Sequence, residues 1–151
     1  MKFFLCTFDT ISLGIPSEVV EEILQVPPEL PGLIEMNPIH GDVFLSLPHL
    51  CRQGEMLAPH GIRLKPLDYP EGAMETLKAY TGIQSPRIIL VTTVVETEVD
   101  VPDEAIRELP RFFGISGKLS FLKGLTFTDA KMLACIDPVL LVSRFIDFWG
   151  H

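Results

Sequence analysis

Thirteen prolines and eleven glycines cut the 151-residue chain into short apolar runs. They cluster between those runs, as in "VPPELPG" at 26–32, "NPIHG" at 37–41 and "DYPEG" at 68–72. Proline removes a backbone donor and glycine lets the chain reverse, so this punctuation favours many short strands joined by turns over long crossover helices. The length suits one domain, or two very small lobes that share a core.

Read along the chain, "FFLCTF" at 3–8 and "ISLGIP" at 11–16 flank an Asp-Thr turn and form a hairpin. In "SEVVEEIL", Val19, Val20, Ile23 and Leu24 fall at helical spacing behind Ser17, which predicts a two-turn amphipathic helix. "EGAMETLKAYTG" at 71–82 is a second helix, built of good helix formers and stopped by Gly82. A β-branched run follows from Ile88, and its second part alternates Val95, Thr97, Val99 and Val101 with Glu96, Glu98 and Asp100. "PDEAIRELP" at 102–110 reads as a helical turn between prolines, and two strands at about 121–127 and 132–136 meet across Thr128 to Lys131. Asp137 followed by Pro138 matches an N-cap and first helical position, because the carboxylate accepts orphan backbone N–H groups and proline has no donor to waste there. "HGDVFLSLPHL" at 40–50 and "KGLTFTDAKMLACIDPVLL" at 123–141 both run from glycine through a strand to a proline-marked turn, a faint echo of two similar lobes.

Charge and motifs narrow the function. Twelve Lys and Arg against twenty Asp and Glu give a formal charge of -8, which repels nucleic acid and anionic membrane surfaces alike. Asp9 interrupts the opening apolar stretch before a signal-peptide core can form, and no run approaches the length of a spanning helix, so a cytoplasmic protein without direct membrane insertion is expected. Hydrophobic residues make up 47% of the chain, enough that some apolar surface is expected to meet another protein. Cys6, Cys51 and Cys135 are too scattered for a disulfide framework, which fits a reducing compartment.

Each sharper reading has a plainer competitor. His40, His49, Cys51 and His60 do not share the paired spacings of zinc ligands, so loop histidines and a core cysteine are the expectation, with no metal and no cofactor. Cys135 sits in an apolar strand with no Lys, Arg or His placed in sequence to lower its pKa, and is expected to be a packed thiol. Glu96, Glu98 and Asp100 are read as the solvated face of a half-buried strand. "GISGKL" at 114–119 lacks the spacing of a phosphate loop, and no G-x-S-x-G elbow is present.

The order of motifs, "FDTISLGIPSEVVEEILQVP", then "VPDEAIRELP", then "FLKGLTFTDAKMLACIDPVLLV", resembles the CheW-like domain of bacterial chemotaxis coupling proteins. The resemblance covers most of the chain and is weakest over 51–86. It implies a mainly β fold with a few short helices: two small five-stranded SH3-like β-barrels sharing a core. The whole of 1–151 would then be a single CheW-like domain, with lobes at roughly 15–85 and 86–135 and the terminal segments packing across. It also implies a non-catalytic signal-transduction adaptor, whose partners are a histidine kinase regulatory domain and a chemoreceptor cytoplasmic tip. By position the partner-binding residues are His40, Gly41, Val43 and Leu45. His40 stands where the family has arginine, and histidine lacks arginine's permanent charge and planar fork. Val91 is followed by Thr92 where the family has Val-Asp. Two alternatives remain: a divergent adaptor for a non-chemotaxis partner that has lost receptor binding, and a small cytosolic thiol enzyme using Cys51 or Cys135.

Overall fold

The computed structural model describes residues 1–8, 11–26, 34–37, 41–47, 60–92, 95–108, 122–128 and 131–149. The chain opens with β1 (Lys2–Phe8) and β2 (Ile11–Pro16), an antiparallel hairpin that sets Phe3 opposite Pro16 and Phe8 opposite Ile11. A single 3-10 turn at Ser17–Val19 then leads into β3 (Val20–Gln25), where a helix was expected. This strand pairs antiparallel with β6 (His60–Leu64), Val20 facing Leu64 and Ile23 facing Ile62. Between Val20 and Glu22 the register shifts. An extra residue at such a bulge breaks the two-residue alternation, and the apolar spacing left behind imitates a helix.

β4 (Ile34–Asn37) and β5 (Asp42–Ser46) form the next hairpin, and α1 (Glu71–Thr81) lies between β6 and β7 (Arg87–Thr92). α1 ends as its sequence predicts: Gly82 adopts φ 71°, and its N–H reaches the Lys78 carbonyl at 2.8 Å. The β-branched run read as one segment divides into β7 and β8 (Val95–Asp100), which belong to different sheets. A 3-10 turn at Asp103–Ala105 and the short β9 (Arg107–Glu108) replace the expected helical turn in part. β10 (Leu122–Thr128) and β11 (Lys131–Ile136) form the last hairpin, followed by α2 (Pro138–Trp149). The Asp137 carboxylate caps α2, accepting the N–H groups of Val139 at 3.0 Å and Leu140 at 3.3 Å.

The architecture is mainly β, in two sheets. One runs β8-β1-β2-β11-β10-β9 and the other β3-β6-β7-β5-β4. Set side by side, they share a pairing scheme. In each a hairpin (β10 with β11, β4 with β5) contributes its second strand to one parallel pair, β11 with β2 and β5 with β7. Each parallel partner then pairs antiparallel with one more strand, β2 with β1 and β7 with β6, and an outer strand, β8 or β3, completes the series. The N-terminal hairpin therefore completes the sheet made by the C-terminal half. The sequence echo between 40–50 and 123–141 falls on β5 in one sheet and on β10 and β11 in the other.

The central strands bury both faces. On β11, Ala134 and Ile136 join the main core while Leu133 and Cys135 face a smaller one with Phe3, Leu5 and Val101. The main core joins the two sheets: Cys6, Leu13 and Ile15 meet Val43, Leu45, Ile62 and Leu90, and α2 closes it with Leu141, Val142 and Phe145. On β7, Ile88 and Leu90 face this core, whereas Ile89 is equally buried on the other side. There a β-carbon on Gly61 would lie 2.8 Å from Ile89 Cγ2 and 2.9 Å from Val26 Cγ1, so only glycine permits this approach. Double-sided burial is what a near-continuous Ile-Ile-Leu-Val run signals in a strand with a parallel neighbour.

Candidate functional site

The expected contact strand is β5. Gly41 precedes it in a turn at φ 71°, and its carbonyl accepts the Arg87 N–H at 2.8 Å, which anchors the start of β5 to β7. Val43 and Leu45 are wholly buried in the core joining the sheets. Their side chains therefore shape the strand from behind and present nothing to a partner. His40 lies outside the described residues, as do His49, Cys51 and "GISGKL".

What β5 does present on its other face is charge. Asp42, Arg63 of β6, Glu22 of β3 and Arg87 of β7 form a ladder across the second sheet. Arg63 Nη1 donates to Glu22 Oε1, a contact that the pairing of Glu22 opposite Arg63 enforces. Asp42 Oδ1 stands 3.8 Å from Arg63 Nη2 and 3.4 Å from Arg87 Nε, where Asp42 and Arg87 are register partners on β5 and β7. The two inner members are withdrawn from water, with side chains 10% exposed at Asp42 and 15% at Arg63, and the outer members, Glu22 and Arg87, are each 51% exposed. Burial of Asp42 and Arg63 is tolerable because each sits against opposite charge, which offsets part of the desolvation cost. Satisfaction is incomplete: Asp42 Oδ1 and Arg63 Nε are both buried without a hydrogen bond.

The ladder ends on β3, the outermost strand of this sheet among the described residues. There Ile23 is 41% exposed, and Glu18 and Glu21 are exposed nearby in the chain. An acidic strand edge with a protruding apolar side chain can add a main-chain ladder, an apolar contact and charge selection to one encounter. Nothing in the sequence drew attention to Arg63 or Glu22, which stand 41 residues apart. The one available signal was an arginine between Ile62 and Leu64 in "HGIRL", where a charge demands a partner.

The two described thiols, Cys6 and Cys135, sit in surroundings opposite to those a nucleophile needs. Burial pushes Cys6 up to about 12; the Thr92 hydroxyl pulls the other way, though its geometry falls short of a hydrogen bond. Burial likewise pushes Cys135 up to about 11. Lys123 lowers that value somewhat, a neighbour the sequence did not suggest; the pairing of β10 with β11 carries it there. Burial outweighs the charge, so both thiols are held protonated. On β8, Glu98 and Asp100 are exposed, and Glu98 lies 3.7 Å from Lys2 Nζ, as expected of a solvated strand face; the Glu96 side chain lies outside the described set. Among the described residues no group of three His, Cys, Asp or Glu side chains could hold a metal ion, and no helix is long and apolar enough to cross a membrane.

Comparison with solved structures places this architecture. The chain is similar to scaffolding protein TtCheW from Thermoanaerobacter tengcongensis, with a TM-score of 0.61 and 17% sequence identity, over 90% of this chain and 83% of that one. No protein-family model matches the sequence. No curated protein matches it either. The fold is therefore CheW-like, and at this identity the likeness is one of fold.

Proposed function

We propose that this chain is a non-catalytic signalling adaptor that works by docking other proteins, in the manner of the coupling proteins that join chemoreceptors to a histidine kinase. The observation that carries the reading is the CheW-like fold over 90% of the chain, shared with a protein described as a scaffold. It is supported by Cys6 and Cys135, which burial holds protonated, and by a charged, partly open sheet face where a docking strand was expected. A reducing, cytoplasmic setting suits free buried thiols.

The docking face is the outer side of the second sheet: the Gly41 turn, the backbone of β5 over Val43 and Leu45, and the ladder from Arg87 to Glu22. His40 adjoins this turn in sequence. The partners proposed are a histidine kinase regulatory domain and a receptor cytoplasmic tip. The test is titration of the purified chain with each, followed by calorimetry. Binding to at least one with Kd of about 50 μM or tighter is expected, the range of a modest transient interface. Silence toward both at about tenfold higher concentration would sink the reading. The H40R variant sharpens the outcome: if the divergence at His40 has weakened receptor coupling, arginine there tightens receptor binding and leaves kinase binding unchanged.

A further inference from the structure

Asp42 is an incompletely satisfied member of the charge ladder. Its Oδ1 has two guanidinium groups within 4 Å, at 3.4 Å from Arg87 Nε and 3.8 Å from Arg63 Nη2, yet it forms a hydrogen bond with neither. Arg63, in turn, commits Nη1 to a half-exposed Glu22 while its buried Nε goes unpaired. A planar guanidinium beside a carboxylate reaches its best geometry in a two-bond fork, and a shift of about 1 Å would bring Arg63 into that arrangement with Asp42. The ladder thus has a second arrangement within reach, in which Arg63 leaves Glu22 and closes on Asp42.

We propose that Asp42 is the alternative seat of the Arg63 guanidinium, so that a basic side chain from a partner engaging Glu22 transfers Arg63 onto Asp42 and relaxes the hold of Asp42 on Arg87. This rests on reading the β3 edge as part of the docking face, and adds how that face is set. In the unbound chain Arg63 neutralises Glu22 and keeps it from attracting stray cations. When a partner's Lys or Arg replaces it, the freed guanidinium does not remain buried and unpaired, because Asp42 receives it. Arg87, with half of its side chain in water, is then the member whose pairing weakens. Since Asp42 begins β5 and Arg87 begins β7, occupancy at the β3 edge is felt at the opening of the parallel strand pair, beside the Gly41 turn. No bond is made or broken; the device is an exchange of ion pairs between two arrangements that a ligand at Glu22 biases.

The test uses the full chain without any partner. E22Q stands in for an engaged Glu22, and urea unfolding of E22Q, D42N and E22Q/D42N closes a double-mutant cycle. E22Q alone is expected to lower the folding equilibrium constant by less than about fivefold, because Asp42 takes up the guanidinium; the double variant should fall more than about threefold below the product of the two single effects. A smaller departure from the product overturns the proposal. Nitrogen-15 NMR of the arginine side chains in E22Q decides the matter even if D42N does not fold: hindered rotation of the Arg63 guanidinium is expected, and free averaging overturns the exchange. Because no partner is present, failure here leaves the docking reading standing, and failure to bind partners leaves this result untouched.

Discussion

The two sheets share a pairing scheme and fill it with opposite chemistry. In the sheet completed by the N-terminal hairpin, the face turned away from the main core is dry: Phe3, Leu5, Leu133 and Cys135 pack with Val101 into a second small core. In the other sheet the equivalent strands β3, β6, β7 and β5 put Glu22, Arg63, Arg87 and Asp42 on that face, with Ile89 beside them. The difference teaches that strand order is settled by the shared core, where Val43, Leu45, Leu13 and Ile15 are interchangeable hydrocarbon, whereas the outer faces are free to diverge. One sheet spends its outer face on stability. The other leaves charges imperfectly satisfied, which costs stability.

The comparison breaks if the dry face is not the more costly one to disturb. Phe3→Ala removes a wholly buried ring from the small core and is expected to cost about 4 kcal/mol in urea unfolding. Asp42→Ala, on the charged face, should cost about 2 kcal/mol, because it deprives two guanidiniums of a partner that was never fully bonded. A reversed order would show that the ladder, and not the apolar cluster, supports its sheet.

A pH series sharpens the same contrast through the thiols, one in the shared core and one in the dry core. Cys6 and Cys135 are held above the ordinary thiol value of 9.0, to about 12 and about 11. An acid whose folded-state value is raised stabilises the fold fully below its unfolded value, and that contribution is lost as pH climbs toward the folded value. Stability should therefore be level with respect to the thiols up to about pH 9 and decline from there to about pH 11–12, with Tyr69, raised from 10.0 to about 12 by burial, adding to the fall. Thiol labelling of the folded chain below pH 9 should be slow at both positions. Fast labelling at either would revive the enzyme reading. The smallest effect belongs to the boundary between strand and helix: Asp137→Ala should cost about 1 kcal/mol and Asp137→Asn less, since the amide oxygen still accepts the N–H groups of Val139 and Leu140.

Much of the fold was legible because its signals act over a few residues. The hairpin at 2–16, the helix at 71–81 with its glycine stop, the hairpin at 122–136 and the Asp137 cap each rest on local chemistry that the tertiary structure leaves in place. β3 was misread because its bulge removes the alternation by which a strand is recognised, and pairing with β6 outweighs the helical spacing of Val19, Val20, Ile23 and Leu24. The site was less legible. Val43 and Leu45 face the core, and Arg63, Glu22 and Arg87 reach Asp42 from three other strands.

By itself, then, the sequence determined the terminal hairpins, the helix α1 with its glycine stop and the Asp137 cap of α2, but not the identity of β3 or the division between β7 and β8. Only the tertiary structure decided that β7 and β8 part into different sheets, that β5 lies parallel to β7 and β2 to β11, and that the N-terminal hairpin completes the sheet made by the C-terminal half. The physical reason is range. Turn, cap and propensity preferences are set by neighbours in the chain, whereas parallel pairing joins strands distant in sequence and is selected by how much apolar surface the whole molecule buries at once. The charge ladder is a consequence of that selection, which is why its members could not be read as a group until the strands were side by side.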